Sequence, residues 1–72
     1  MSNEAIKIQN YLQQECSDYW HVKENNGVIE CYYINDYRFS VFKNDCDEWC
    51  ITGTEMYLEM TYNLAILLNA TL

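Results

Sequence analysis

Residues 19–34 read YWHVKENNGVIECYYI, and their reading decides the fold. Tyr19 to Glu24 alternate and are rich in the aromatic and β-branched types that suit a pleated surface. Asn26-Gly27 is the strongest short hairpin signal, because a two-residue turn needs left-handed backbone that these types tolerate. Residues 28–34 then form the returning strand. A two-residue turn pairs Val22 with Cys31 and Trp20 with Tyr33, and also Lys23 with Glu30 and His21 with Tyr32. One face of the hairpin is then Trp20, Val22, Ile29, Cys31 and Tyr33. The other is Tyr19, His21, Lys23, Glu30 and Tyr32.

The pattern extends outward on both sides. Asn35-Asp36 supplies a turn into a third strand over 37–43. There Tyr37, Phe39 and Val41 are expected inward and Arg38, Ser40 and Phe42 outward. Keeping that face continuous calls for a three-residue loop with a bulge, since a slip of one residue would put Arg38 and Ser40 in the core. Residues 44–47 make a polar loop, and 48–52 a short fourth strand with Trp49 and Ile51 inward. Before the sheet, 3–16 read as a helix capped by Ser2, with Ala5, Ile8, Leu12 and Cys16 on one stripe and Lys7, Gln9, Gln13 and Gln14 toward water. After it, Thr52 and Glu55 match a capping box, and a helix runs from about Glu55 to the end of the chain. Its last turns are apolar nearly all round, which predicts burial on more than one side. The expected class is α+β: helix, four-stranded antiparallel meander, helix (αββββα), with both helices on one face.

Seventy-two residues make one domain, 1–72, and chains this short bury only about 60% of their unfolded surface. Eleven acids face four bases, for a net charge of −7, while half the residues are hydrophobic. A disordered acidic tail lacks such an apolar share, so this is a folded domain wrapped in negative charge. That charge disfavours direct contact with nucleic acid or anionic membranes and favours a basic protein surface. No apolar run reaches the ~20 residues of a membrane span, and the start lacks a signal-peptide pattern, so a cytoplasmic location is expected. Cys16, Cys31, Cys46 and Cys50 are then expected reduced.

Two chemical readings compete with binding. A zinc staple could use Cys46 and Cys50, with Cys31 and His21 upstream, but zinc wants four tetrahedral ligands and there is no second close pair. A Cys/His dyad lacks a glycine-rich oxyanion loop and room for a pocket. No catalytic residue, metal or cofactor is therefore expected, and the chain reads as a non-enzyme.

The acids carry the functional expectation. Asp45, Asp47 and Glu48 crowd one loop, and Glu55 and Glu59 stand one helical turn apart. Like charges so spaced cost a few tenths of a kcal/mol, which a small domain should avoid unless the charge serves elsewhere. Carboxylates pair well with arginine, so spaced acids on a rigid body can occupy a cleft built for nucleic acid. Tyr19, Tyr32 and Phe42 on the open sheet face would anchor the contact. In size, charge and aromatic content the chain is similar in type to small phage-encoded inhibitors of bacterial defence, anti-CRISPR proteins among them. That similarity implies an inhibitor acting by DNA or RNA mimicry on a basic, nucleic-acid-binding protein. The alternative is an intracellular homodimeric module that associates through the last helix or the open sheet face, with a zinc-stapled domain behind it.

Overall fold

The Asn26-Gly27 hairpin forms as its sequence directs. In the computed structural model, which describes residues 1–52 and 58–69, β1 (Trp20–Asn25) and β2 (Val28–Tyr33) pair antiparallel. Trp20 opposes Tyr33, His21 opposes Tyr32, Val22 opposes Cys31 and Lys23 opposes Glu30. Asn26 and Gly27 both take positive φ, at 52° and 81°, as a tight turn between right-twisted strands requires. β3 (Asp36–Lys43) and β4 (Trp49–Thr52) extend the meander in the order β1-β2-β3-β4.

The join between β2 and β3 differs from expectation. Its loop is two residues, Ile34 and Asn35, so Asp36 opposes Tyr33. Carried on unbroken, that register would bring Arg38 and Ser40 inward. A β-bulge corrects it: Tyr32 opposes Tyr37 but Cys31 opposes Phe39, leaving Arg38 as the extra residue. Phe39 and Val41 are therefore fully buried, as expected, while Tyr37 turns to the outer face against Tyr32. Arg38 places its guanidinium 5.8 Å from the Tyr33 ring, on the core side. The bulge belongs in the strand and not in the loop, and it exchanges the expected places of Tyr37 and Arg38.

One core joins the layers. Trp20, Val22, Ile29, Cys31, Phe39, Val41 and Ile51 from the sheet meet Ala5, Ile8 and Leu12 from the first helix and Leu64 and Ala65 from the last. The helices thus cover one face of the sheet. The first runs as α1 (Asn3–Tyr11), with Ser2 Oγ accepting from the Ala5 N–H, and continues as a π-helical turn over Leu12–Cys16. Its glutamines do not all face water. The Gln13 side-chain amide donates to the Trp20 carbonyl at 3.0 Å, and Gln9 Oε1 accepts from the Val22 N–H at 3.5 Å. These groups lie on the outer edge of β1, so α1 and the π-helical turn after it occupy backbone positions that would otherwise invite another strand.

The last helix, α2 (Leu58–Leu68), ends on Asn69 at φ 55°, the left-handed closure that asparagine tolerates. Leu64 and Ala65 are buried, but Tyr62, Ile66 and Leu67 are exposed. Burial on more than one side is therefore not met within a single chain. No described helix is long and apolar enough to cross a membrane.

Burial also settles the chemistry of one thiol. Cys31 is fully enclosed, and desolvation pushes its pKa up to about 12. The folded state then holds its proton through a range where the unfolded chain, near pH 9, loses it. Stability from this group is complete below pH 9 and falls by about 1.4 kcal/mol per pH unit between 9 and 12. We expect the melting temperature of the wild type to drop more steeply above pH 9 than that of Cys31→Ala, followed by circular dichroism. Parallel slopes would contradict this.

Candidate functional site

The meander places two loops and a helix start at the same end of the sheet. The β1–β2 turn, the β3–β4 loop and the beginning of α1 gather there, whereas the β2–β3 turn and the start of β1 lie at the other end. The β3–β4 loop is built around Asn44. Its Oδ1 accepts from the Cys46 N–H at 2.9 Å and from the Glu48 N–H at 3.0 Å, and its own N–H donates to the Glu48 carbonyl at 2.9 Å. The Asp47 N–H donates to the Asn44 carbonyl at 3.0 Å, with Asp47 at φ 64°. An asparagine opening a polar loop commonly organises it in this way. The result is a braced tip with Asp45, Asp47 and Glu48 all exposed.

Further carboxylates join them. A cleft of about 400 Å³ opens beside the loop, lined among others by Glu4, Glu24, Lys43 and Trp49. The Ser2 N–H donates to Glu24 Oε1 at 2.7 Å and holds that carboxyl below its usual range, so Glu24 is charged at neutral pH. Lys43 lies 3.4 Å from Asp47 and 5.2 Å from the Trp49 ring. Glu4 and Glu24 thus share the cleft with Lys43, and Asp45, Asp47 and Glu48 stand on the adjoining loop, Asp47 in contact with that lysine. Glu4 and Glu24 were not among the candidates from sequence. Their signal was topological: Glu24 precedes the first turn of a meander, and Glu4 opens the helix packed antiparallel to β1.

The other candidates scatter. Glu55 lies outside the described residues, and Glu59 falls in the first turn of α2, outside the described side chains. Tyr32 is on the open face as expected, stacked on His21 at 5.5 Å and interplanar 6°, with Lys23 Nζ 4.9 Å from its ring. Desolvation, and then the Glu30 carboxylate, raise its phenol pKa. Phe42 opposes Cys50 on the same face and touches the cleft. Tyr19 belongs elsewhere, because its ring meets Tyr33 edge-on at 6.1 Å, at the far end of the sheet from Asp45. It leaves the open face because it precedes the regular strand, where pleated alternation no longer sets its direction.

The metal alternative finds Cys31 in the core and His21 on the opposite face. Among the described residues no three His, Cys, Asp or Glu side chains are grouped to hold an ion. No family model matches the chain, and no curated protein or solved structure is detectably similar to it.

Proposed function

We propose that this is a non-catalytic binding protein whose acidic end enters a cationic site on another protein, in the manner of a nucleic acid. The observation that supports this is the gathering of five acids at one end of the sheet: Glu4 and Glu24 line a cleft with Lys43, and Asp45, Asp47 and Glu48 stand on the adjoining loop that Asn44 braces. A braced display matters because fixed charges bind without the entropy cost of being ordered first. The natural recipient is a nucleic-acid-binding protein, whose Arg and Lys side chains are arranged for phosphates and also pair with carboxylates. Binding there would inhibit, as small phage anti-defence proteins do. We place this action in the cytoplasm, where the free cysteines would stay reduced.

Affinity capture from the native host tests the reading. The chain is expected to retain a basic protein at low salt and release it as salt rises. Retention of acidic or neutral proteins alone, unaffected by salt, would count against it.

A second reading rests on α2. Tyr62, Ile66 and Leu67 are exposed on a stretch, residues 62–69, that carries no charge. Two copies pairing there would bring no charge from that stretch into the contact. Light scattering should then show a dimer that Ile66→Glu dissociates. A clean monomer at high concentration would remove this reading.

A further inference from the structure

The two edges of the sheet are treated differently. Along an antiparallel ladder, successive residues turn their N–H and C=O groups alternately toward and away from the neighbouring strand. The Ile34 N–H donates to the Tyr19 carbonyl at 3.0 Å, so Tyr19 faces β2 and the backbone groups of Trp20 and Val22 face outward. Those are the residues that Gln13 and Gln9 engage. On β4 the Asn44 N–H donates to the Glu48 carbonyl at 2.9 Å, so Glu48, Cys50 and Thr52 face β3. The N–H and C=O groups of Trp49 and Ile51 then face outward, and among the described residues no hydrogen bond engages them. Apart from its shortness, β4 also lacks the usual guards of an exposed edge. Trp49-Cys50-Ile51-Thr52 holds no charge and no proline, and it pairs without a bulge.

We infer that β4 pairs antiparallel with β4 of a second copy of this chain, across a two-fold axis at Cys50. That register sets Trp49 opposite Ile51 of the second copy and engages every outward N–H and C=O on both strands. A shift of two residues in either direction carries half of these bonds off β4. Charge and apolar surface both select a second copy. Glu48 lies opposite Thr52 of the second copy, so no carboxylate opposes another, and the acidic loops leave the seam at opposite ends. An axis normal to the sheet also keeps both helical layers on one face. Because α2 packs on β4, with Leu64 and Ile51 in one core, the two α2 helices come side by side there. The uncharged stretch that exposes Tyr62, Ile66 and Leu67 thereby gains the second buried side that its composition calls for. A strand from an unrelated protein would leave that surface open. The inference rests on the second reading above, that two copies associate, and supplies its seam. It is independent of the acidic end, which stays free in the dimer.

Cys50 supplies the probe. Its side chain lies on the open face, in a non-hydrogen-bonded pair with its counterpart. The Cα atoms of such a pair stand about 4.5 Å apart, within the roughly 4.4–6.8 Å that a disulfide spans. Diamide joins two thiols, taking a proton and an electron from each as the S–S bond forms. Cys16→Ser with Cys46→Ser leaves Cys50 as the accessible thiol, since Cys31 is enclosed. Cys16→Ser with Cys50→Ser leaves Cys46 instead, which is more exposed and measures chance collision. At concentrations where light scattering shows a dimer, the Cys50 protein is expected to become a covalent dimer at least about tenfold faster than the Cys46 protein. Equal rates in a dimeric protein overturn the edge pairing and leave association through α2 standing. A monomer at every concentration overturns both. Hydrogen exchange on the unmodified chain gives a second readout. The Trp49 and Ile51 amides should gain protection as concentration rises through the dimerisation range, while the Glu24 amide, on the opposite edge, does not change. Exchange at Trp49 and Ile51 that ignores concentration would also overturn the pairing.

Discussion

Phe39→Ala should leave the chain unfolded at room temperature. Phe39 is the largest side chain in the core with no exposure, at the centre of the sheet, with the Trp20 ring 5.8 Å away. Removing a buried phenylalanine costs about 3–5 kcal/mol in lost transfer energy and residual cavity. A domain of this size rarely holds more than about 3–5 kcal/mol in total. The loss therefore meets or exceeds the whole reserve. Phe42→Ala serves as the control, since Phe42 is only half-buried on the opposite face. Near-ultraviolet circular dichroism should collapse for Phe39→Ala and stay close to native for Phe42→Ala. Equal effects would contradict the placement of the core on one face.

The second large effect concerns charge. The triple variant Asp45→Asn, Asp47→Asn, Glu48→Gln removes three of the five carboxylates at the acidic end and takes the net charge from −7 to −4. Their side chains are exposed, the short Asn44 bonds that brace the loop run to the backbone of residues 46–48, and the long 3.5 Å bond from the Asn44 side-chain amide to Glu48 keeps an acceptor oxygen in Gln, so the fold should persist. Electrostatic steering raises association rates well above about 10⁶ per molar per second, and losing it lowers them by one to two orders of magnitude. The triple variant is therefore expected to associate with its partner ten to a hundred times more slowly at low salt, with dissociation changed less. Stopped-flow or surface-based kinetics would show this. An unchanged rate would mean that these carboxylates face away from the contact.

The chain spells some features of the fold more plainly than others. Asn26-Gly27 fixed the first hairpin because its turn and its alternation agree, so one register satisfies both. At Ile34-Asn35 they conflict. The turn chemistry is poor for a tight hairpin, and the alternation of Phe39 and Val41 demands a register that a two-residue turn does not provide. The bulge at Arg38 resolves the conflict, and nothing local marks where it falls. Helical spacing places Gln9 and Gln13 toward solvent because it reports distance from the apolar stripe. It does not report that a strand edge with free backbone groups lies at the stripe's margin. The acidic loop was legible as a cluster, but its alliance with Glu4 and Glu24 is a product of topology, visible only once both ends of the meander are placed.

Competition for one site tests the central claim most directly. The protein captured from the host is titrated with a double-stranded DNA oligonucleotide in the presence and absence of this chain, with fluorescence anisotropy as the signal. Shared occupancy of a cationic site predicts that the chain displaces the DNA completely and that the triple variant does so only at far higher concentration. A ternary complex, in which DNA and this chain are held together, would contradict it.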